Sequence, residues 1–381
     1  MLIPPATSQE QLSTSPNVYD RRLYIKAAND LRDNEGQWHA YESKGHCVLL
    51  AGPGSGKTKT LTLKLARMLS EDVFEPRGVA CITYNNECAG ELERRLSQLG
   101  IEPSGRVFIG TVHSFSLTQI VLPYAKSAKL GLPDNFKVAT TKQRAAALER
   151  AYYKVINGRD KPSDWDLPMA VHRRSVLDRE SPEWEAKAQT ARLIEEYEAQ
   201  LRKANLIDFD DMPLLAVKAL KHEWLQRAIL AKYPILAVDE YQDLGSALHR
   251  MVLGLCFKVG IRLFAVGDAD QSIYGFTGAN PTMLKQLSER KDVETFQLRL
   301  NYRCGSSIVT ASAYALGERE TTKLRRPRQK VLSIFTLLQV ALSNRQIVSS
   351  QKLFQPHKSA IPNFSLVRLQ FYIRQRLLAT L

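Results

Sequence analysis

An α/β fold, a parallel sheet with helices on both faces, is predicted by three features of the 381-residue sequence. First, a short apolar run, Val48-Leu49-Leu50, passes through a glycine-rich turn into a helical pattern with Leu61, Leu65, Met68 and Leu69 on one face. Second, strand and helix then alternate: Val79–Thr83 reads as a buried strand, 89–99 as a helix and 107–110 as the next strand. Third, strands return at Ile235–Val238 and 263–266, after a long polar and helical stretch. Alternation of this kind buries apolar strands between two helical layers.

The turn after the first strand is Ala51-Gly52-Pro53-Gly54-Ser55-Gly56-Lys57-Thr58. Its glycines let successive backbone N–H groups point at one anion. Lys57 adds a point charge for β- and γ-phosphates, and Thr58 offers a hydroxyl to Mg²⁺. The helix that follows sets its positive end behind the phosphates. Ala51 stands where the usual pattern begins with glycine, and it is small enough for the turn. This spacing predicts a nucleoside triphosphate site.

The segment from about 117 to 206 reads as a helical insertion within the sheet domain. Pro182 follows Ser181 at a helix start, and Trp184, Ala188, Ala191, Ile194 and Leu201 mark one face of that helix. Asp239-Glu240-Tyr241-Gln242-Asp243 directly follows a strand, which places carboxylates at the ligand crevice. There Asp239 can hold Mg²⁺ through its water shell, and Glu240 can polarise the water that attacks the γ-phosphate. At the end of the last strand, Gln271 can report a γ-phosphate, and Tyr274 and Phe276 can stack on bases or fill the core. Arg303, in Leu300-Asn301-Tyr302-Arg303, fits an arginine finger or an ordinary surface ion pair.

Composition bounds the rest. Length implies two or three domains. Hydrophobic content of 44% and charged content of 24% are ordinary. The first 17 residues lack the blocks of a signal peptide, and no apolar run is long enough to span a bilayer. Five cysteines without a C-x-x-C pair argue against a zinc site or a disulfide framework, so a cytoplasmic location is expected. The net charge of +14 is concentrated: residues 321–381 hold eleven Lys and Arg and no acid, leaving 42 basic and 39 acidic residues elsewhere. The global charge therefore says little about the partner of the main body.

Eight segments in order resemble the superfamily 1 DNA helicases of the UvrD/Rep type. They are Asn34-Glu35-Gly36-Gln37, the phosphate loop, Ile82-Thr83-Tyr84-Asn85-Asn86-Glu87-Cys88-Ala89, Gly110-Thr111-Val112-His113, Ile207-Asp208-Phe209-Asp210-Asp211, Asp239 to Asp243, Gly267-Asp268 to Gly278, and Asn301-Tyr302-Arg303. The resemblance implies that Gln37 reads adenine, Tyr302 stacks on it, and Lys59 stands where the family usually has an arginine near the nucleotide. It implies that Lys57, Thr58, Asp239 and Glu240 bind and hydrolyse ATP with Mg²⁺, and that Gln271 and Arg303 sense the γ-phosphate. Tyr84, Asn86, His113, Tyr274 and Phe276 would line a track for single-stranded or partly duplex DNA. Glu87, Phe276 and Thr277 stand where the family usually has lysine, tryptophan and arginine, a change that lowers the expected DNA affinity.

The expected organisation is an N-terminal extension over 1–30, a RecA-like P-loop core over 31–116 and 207–290, and a helical insertion over 117–206. The start of a second RecA-like core follows over 291–320, then a basic acid-free tail over 321–381. The tail lacks the family's later motifs and reads as a truncated or frame-altered C-terminus, or alternatively as a nucleic-acid-binding tail. Two functions follow: an ATP-dependent helicase or translocase moving 3′ to 5′ without a membrane, or an ATP- and DNA-binding remnant that does not unwind a duplex. The first is the leading reading, or the N-terminal part of such an enzyme; the chain as given is expected to bind ATP without unwinding a duplex, because little sequence remains to hold the segment bearing Arg303. A small-molecule P-loop kinase is disfavoured by Gln271 and the aromatic residues.

Overall fold

The computed structural model describes residues 21–101, 105–268, 282–305, 307–309 and 323–324. Gln271, Tyr274, Phe276 and Thr277, the N-terminal stretch before 21, and the acid-free tail apart from 323–324 lie outside the described residues. The described residues group into two compact units, one drawn from 1–50 with 57–296 and the other from 51–56 with 297 onward.

In the first unit the strands are β1 (His46–Ala51), β2 (Val79–Thr83), β3 (Val107–Thr111), the short β4 (Lys137–Val138) and β5 (Leu206–Ile207), then β6 (Ile235–Val238), β7 (Arg262–Gly267) and β8 (Val293–Leu298). The main sheet has the order β3-β2-β6-β7-β1-β8. Its first five strands are parallel, with Ile82 opposite Val238, Val238 opposite Ala265, and Leu49 opposite Val266. The strands β2 and β6 are buried at every position, as parallel strands covered on both faces must be. The α/β class with a parallel sheet is what the sequence predicts.

Helices α1 (Arg21–Asn29) and α2 (Glu35–Glu42) precede β1, and α3 (Lys57–Arg67) follows it, ending in a π-helical turn at Met68–Asp72. Next come α4 (Asn86–Gln98), α5 (Val112–Phe115) and α6 (Leu122–Tyr124). Asn85 starts α4, its side chain accepting the Cys88 N–H at 2.8 Å. The helical segment comprises α7 (Thr141–Val155), α8 (Asp166–Ser175), α9 (Pro182–Glu185) and α10 (Ala188–Lys203). The single helix expected from Pro182 is in fact two. Lys187, at φ −118° and ψ 52°, breaks it, and Ala188 is exposed rather than on the buried face. Trp184, Ala191, Ile194 and Leu201 still share one core with Leu148, Tyr152 and Tyr197. The remaining helices, α11 (Asp211–Ala219), α12 (Glu223–Lys232), α13 (Gly245–Phe257) and α14 (Thr282–Ser288), pack a separate core on the sheet. In the second unit β9 (Leu300–Asn301) pairs in parallel with β10 (Lys323–Leu324). Among the described residues no helix is long and apolar enough to cross a membrane.

A network of buried charges ties the helical segment to the residues that lead back into the sheet domain. Arg173 on α8, 2% exposed, reaches Asp208 at 2.7 Å, Asp211 at 2.9 Å and Glu198 at 3.1 Å. Arg202 pairs with Asp211 and Arg174 with Asp210, each at 2.9 Å, and the Tyr197 hydroxyl donates to Asp208 at 2.9 Å. Burial alone would raise the Asp208 carboxyl, but the Arg173 guanidinium against it holds it down at about 2. A carboxyl held below its unfolded value of 3.8 adds stability that is present above that pH and lost as the pH falls toward 2. Removing the cation strands buried carboxylates, so Arg173→Met is expected to cost about 3–5 kcal/mol at pH 7 by chemical denaturation. The deficit should narrow below about pH 4, where the stranded carboxyls take up protons; a deficit independent of pH would contradict this account.

Candidate functional site

Because β1, β2, β3, β6 and β7 are parallel, their C-terminal ends share one edge of the sheet, where ligands bind in open α/β folds. At the end of β6 the Asp239 N–H donates to Ile82 O at 2.8 Å, which prolongs the ladder by one bond. The chain then turns sharply, because Glu240 is left-handed at φ +49° and ψ +48°. A non-glycine residue holds that conformation only where its surroundings demand it. Here the demand is visible. The Glu240 carboxylate lies 3.2 Å from Lys57 Nζ at the start of α3 and accepts from Gln242 Nε2 at 2.9 Å.

Gln242, 1% exposed, also accepts the Asp268 N–H at 3.0 Å, so one amide ties the end of β6 to the end of β7. A methyl group at Gly267 would fall 2.6 Å from its Oε1 and 2.8 Å from Leu284 Cδ2, so a larger residue there would have to displace this amide. Asp239, 7% exposed, accepts the Glu240 N–H at 3.1 Å. Burial, then the charge of Glu240, pushes Asp239 up to about 7 against the pull of Lys57. Burial and the same neighbour raise Asp243 to about 7, and among the described residues its buried Oδ1 has no hydrogen-bond partner.

This edge is therefore short of positive charge, and the donor set suits a hard divalent cation. Among the described residues no three of His, Cys, Asp and Glu converge to hold a metal unaided. Mg²⁺ needs no such cage, since it keeps several waters and takes one or two carboxylates with substrate phosphates. Asp239 and Thr58 are the residues that would hold it.

The loop 51–56 belongs to the second unit. Gly54 and Gly56 have φ of +69° and +89°, the curl that such a loop requires. Ser55 Oγ closes the turn on Gly52 O at 2.6 Å. Within this unit the segment bearing Arg303 is bonded to the loop. Tyr302 N donates to Gly54 O at 2.8 Å, and Asn301 Nδ2 donates to Pro53 O at 2.9 Å. The Asn301 side-chain oxygen in turn accepts from the N–H groups of Arg303 and Cys304 at 2.9 and 2.8 Å. A methyl group at Gly54 would lie 2.7 Å from Arg303 Cβ, so only glycine permits the approach. Tyr302 and Arg303 are themselves exposed.

Of the other residues singled out from the sequence, Gln37 is buried on α2 at 3% exposure, and Lys59 pairs with Asp30 at 3.0 Å. Tyr84 is partly buried against the sheet core, and Asn86 is exposed at the start of α4. The His113 ring lies 4.4 Å from that of Phe209, which is 55% exposed. Burial lowers the His113 pKa against the pull of Asp210, so at neutral pH its ring presents no full charge. Sequence reasoning gave no role to Phe209 or to Gln242. The available signals were a bare aromatic among three carboxylates and an amide between two.

The sequence matches the UvrD/REP helicase N-terminal domain over residues 33–292. Among curated proteins it is 32% identical to the ATP-dependent DNA helicase Rep of Salmonella typhimurium, over 74% of this chain and 43% of that protein. It is likewise 32% identical to Rep of Escherichia coli, with the same coverage, and 30% identical to PcrA of Leuconostoc citreum, over 71% of this chain and 37% of that protein. The chain thus spans less than half the length of these relatives. With that domain matched over residues 33–292, more than half of the chain, the chain belongs to the UvrD/Rep helicase family.

Proposed function

We propose that this chain is the nucleotide-binding part of an ATP-dependent DNA helicase or translocase, driven 3′ to 5′ along single-stranded or partly duplex DNA by ATP hydrolysis. The observation that carries the reading is the Lys57–Glu240 pair, one cation and one carboxylate 3.2 Å apart at the ligand edge of a parallel sheet. The names of the relatives, ATP-dependent DNA helicases, support it.

In this reading Lys57 exchanges the Glu240 carboxylate for the β- and γ-phosphates of ATP. Glu240, freed from Lys57 but still held by Gln242, orients the attacking water and takes its proton. Thr58 and Asp239 would hold Mg²⁺, which when bound would offset the phosphate charge. Residues 51–56 cradle the phosphates, Gln37, Lys59 and Tyr302 hold the nucleoside, and Gln271 and Arg303 sense the γ-phosphate. Tyr84, Asn86, His113, Tyr274 and Phe276 contact DNA, and the exposed Phe209 ring beside His113 joins them as a stacking surface.

Lys57→Ala is expected to weaken ATP binding by about 10- to 100-fold, the loss of a charged hydrogen bond. Glu240→Gln should keep ATP bound while kcat falls by about 10²- to 10⁴-fold, since the amide keeps the shape but accepts no proton. Hydrolysis at the parental rate by Glu240→Gln would overturn the assignment of the base. On the DNA side, Phe209→Ala should weaken single-stranded DNA binding by about 5- to 100-fold with little change in salt dependence, read by fluorescence anisotropy. Unchanged affinity would remove Phe209 from the track.

A further inference from the structure

Lys64 lies two turns beyond Lys57 on α3 and is 1% exposed. The phosphate chemistry has no use for it. Its Nζ donates to Tyr41 O at 2.8 Å and to Ser43 O, carbonyls at the C-terminal end of α2 that no helical N–H reaches. The ring of Phe264 lies 5.7 Å from the ammonium. One turn further along α3, Arg67 donates to the same Tyr41 O at 3.1 Å and pairs with Glu42 at 2.8 Å. Two cations on one face of α3 thus hold the negative end of α2, the end where a helix favours positive charge.

Burial, then the charge of Arg262, pushes the Lys64 ammonium down to about 8. An apolar side chain would fill this space without that desolvation, so the geometry of the grip is what the lysine adds. One turn before Tyr41 on the same short helix is Gln37, itself buried and next to the Asn34 cap. A shift of α2 along α3 would carry Gln37 with it.

We infer that Lys64 is a positioning residue for nucleobase selectivity: its bonds to the end of α2 fix that helix, and Gln37 with it, against α3, which carries Lys57. The inference rests on the proposed reading of Gln37 as the adenine-contacting residue. It predicts that loosening the grip costs discrimination between bases while leaving phosphate binding intact.

The test is the affinity of the full chain for ATP, GTP and inorganic tripolyphosphate with Mg²⁺, using fluorescent ATP and GTP analogues and competition by tripolyphosphate. Lys64→Met is expected to reduce the preference for ATP over GTP by about tenfold, the scale of a misplaced polar contact, with tripolyphosphate affinity within about twofold of wild type. Lys64→Arg, which keeps donors, should restore the preference. Should Lys64→Met fail to fold by circular dichroism, Lys64→Gln, which keeps an N–H donor group, is expected to show a smaller loss of the same kind. A folded Lys64→Met or Lys64→Gln with wild-type preference overturns the inference, and so does an equal loss of affinity for all three ligands. Gln37→Ala separates the two ideas. If it abolishes the preference while the Lys64 variants keep it, only the role of Lys64 falls. If Gln37→Ala keeps the preference, the adenine reading falls and this inference with it.

Discussion

Lys57 and Glu240 are 183 residues apart in sequence and 3.2 Å apart in space, and most of the first unit exists to make that distance short. The two side chains are only 11% and 28% exposed, so each charge has given up much of its water and depends on the other. Lys57 is placed by β1 feeding α3. Glu240 is placed by β6, two strands away with β7 between, and by a left-handed turn that aims its carboxylate back along the edge. Gln242 holds that turn from one side through Glu240 and from the other through the backbone of Asp268. A carboxylate with a fixed orientation beside a cation that phosphates could take over is what the proposed nucleotide site requires.

The same logic of paired charges joins the helical segment to the sheet. Its own core, around Tyr152, Trp184 and Tyr197, is distinct from the core packed on the sheet, and Leu206 and Ile207 stand one in each. Arg173 and the carboxylates of Glu198, Asp208 and Asp211 add a specific register there, with the backbone N–H groups of Asp208 and Asp211 closing on each other's side chains at 2.9 and 2.8 Å. Phe209 is left pointing outward by this turn, against His113. A structural ion network thereby presents an aromatic ring to solvent, which links the insertion to the proposed DNA surface.

Much of the fold was legible in the sequence, because the determining signals are local. Apolar runs of four to six residues such as Ile235–Val238 mark fully buried parallel strands, and the glycine pattern of 51–56 marks a curled loop whatever surrounds it. What was not legible depends on contacts between distant residues. Nothing near Arg173 announces that its partners are 25 to 38 residues away, and a period of hydrophobic residues does not reveal the break at Lys187. At the site, the acidic cluster and Lys57 could be named from spacing alone. The left-handed backbone of Glu240, the bridging by Gln242 and the seating of Asn301 on the loop backbone could not, because each is a consequence of strand order rather than of sequence order.

The central claim is that Glu240 holds Lys57 in waiting and that nucleotide takes its place. A double-mutant cycle on nucleotide affinity tests it most directly, read with a fluorescent ATP analogue and Mg²⁺ on the wild-type chain, Glu240→Gln, Lys57→Ala and the pair together. Removing the competing carboxylate is predicted to tighten binding by about 3- to 10-fold when Lys57 is present and to leave it unchanged when Lys57 is alanine, a coupling of the size found for groups in contact. Equal tightening in both backgrounds, or weaker binding with Lys57 intact, would contradict the account.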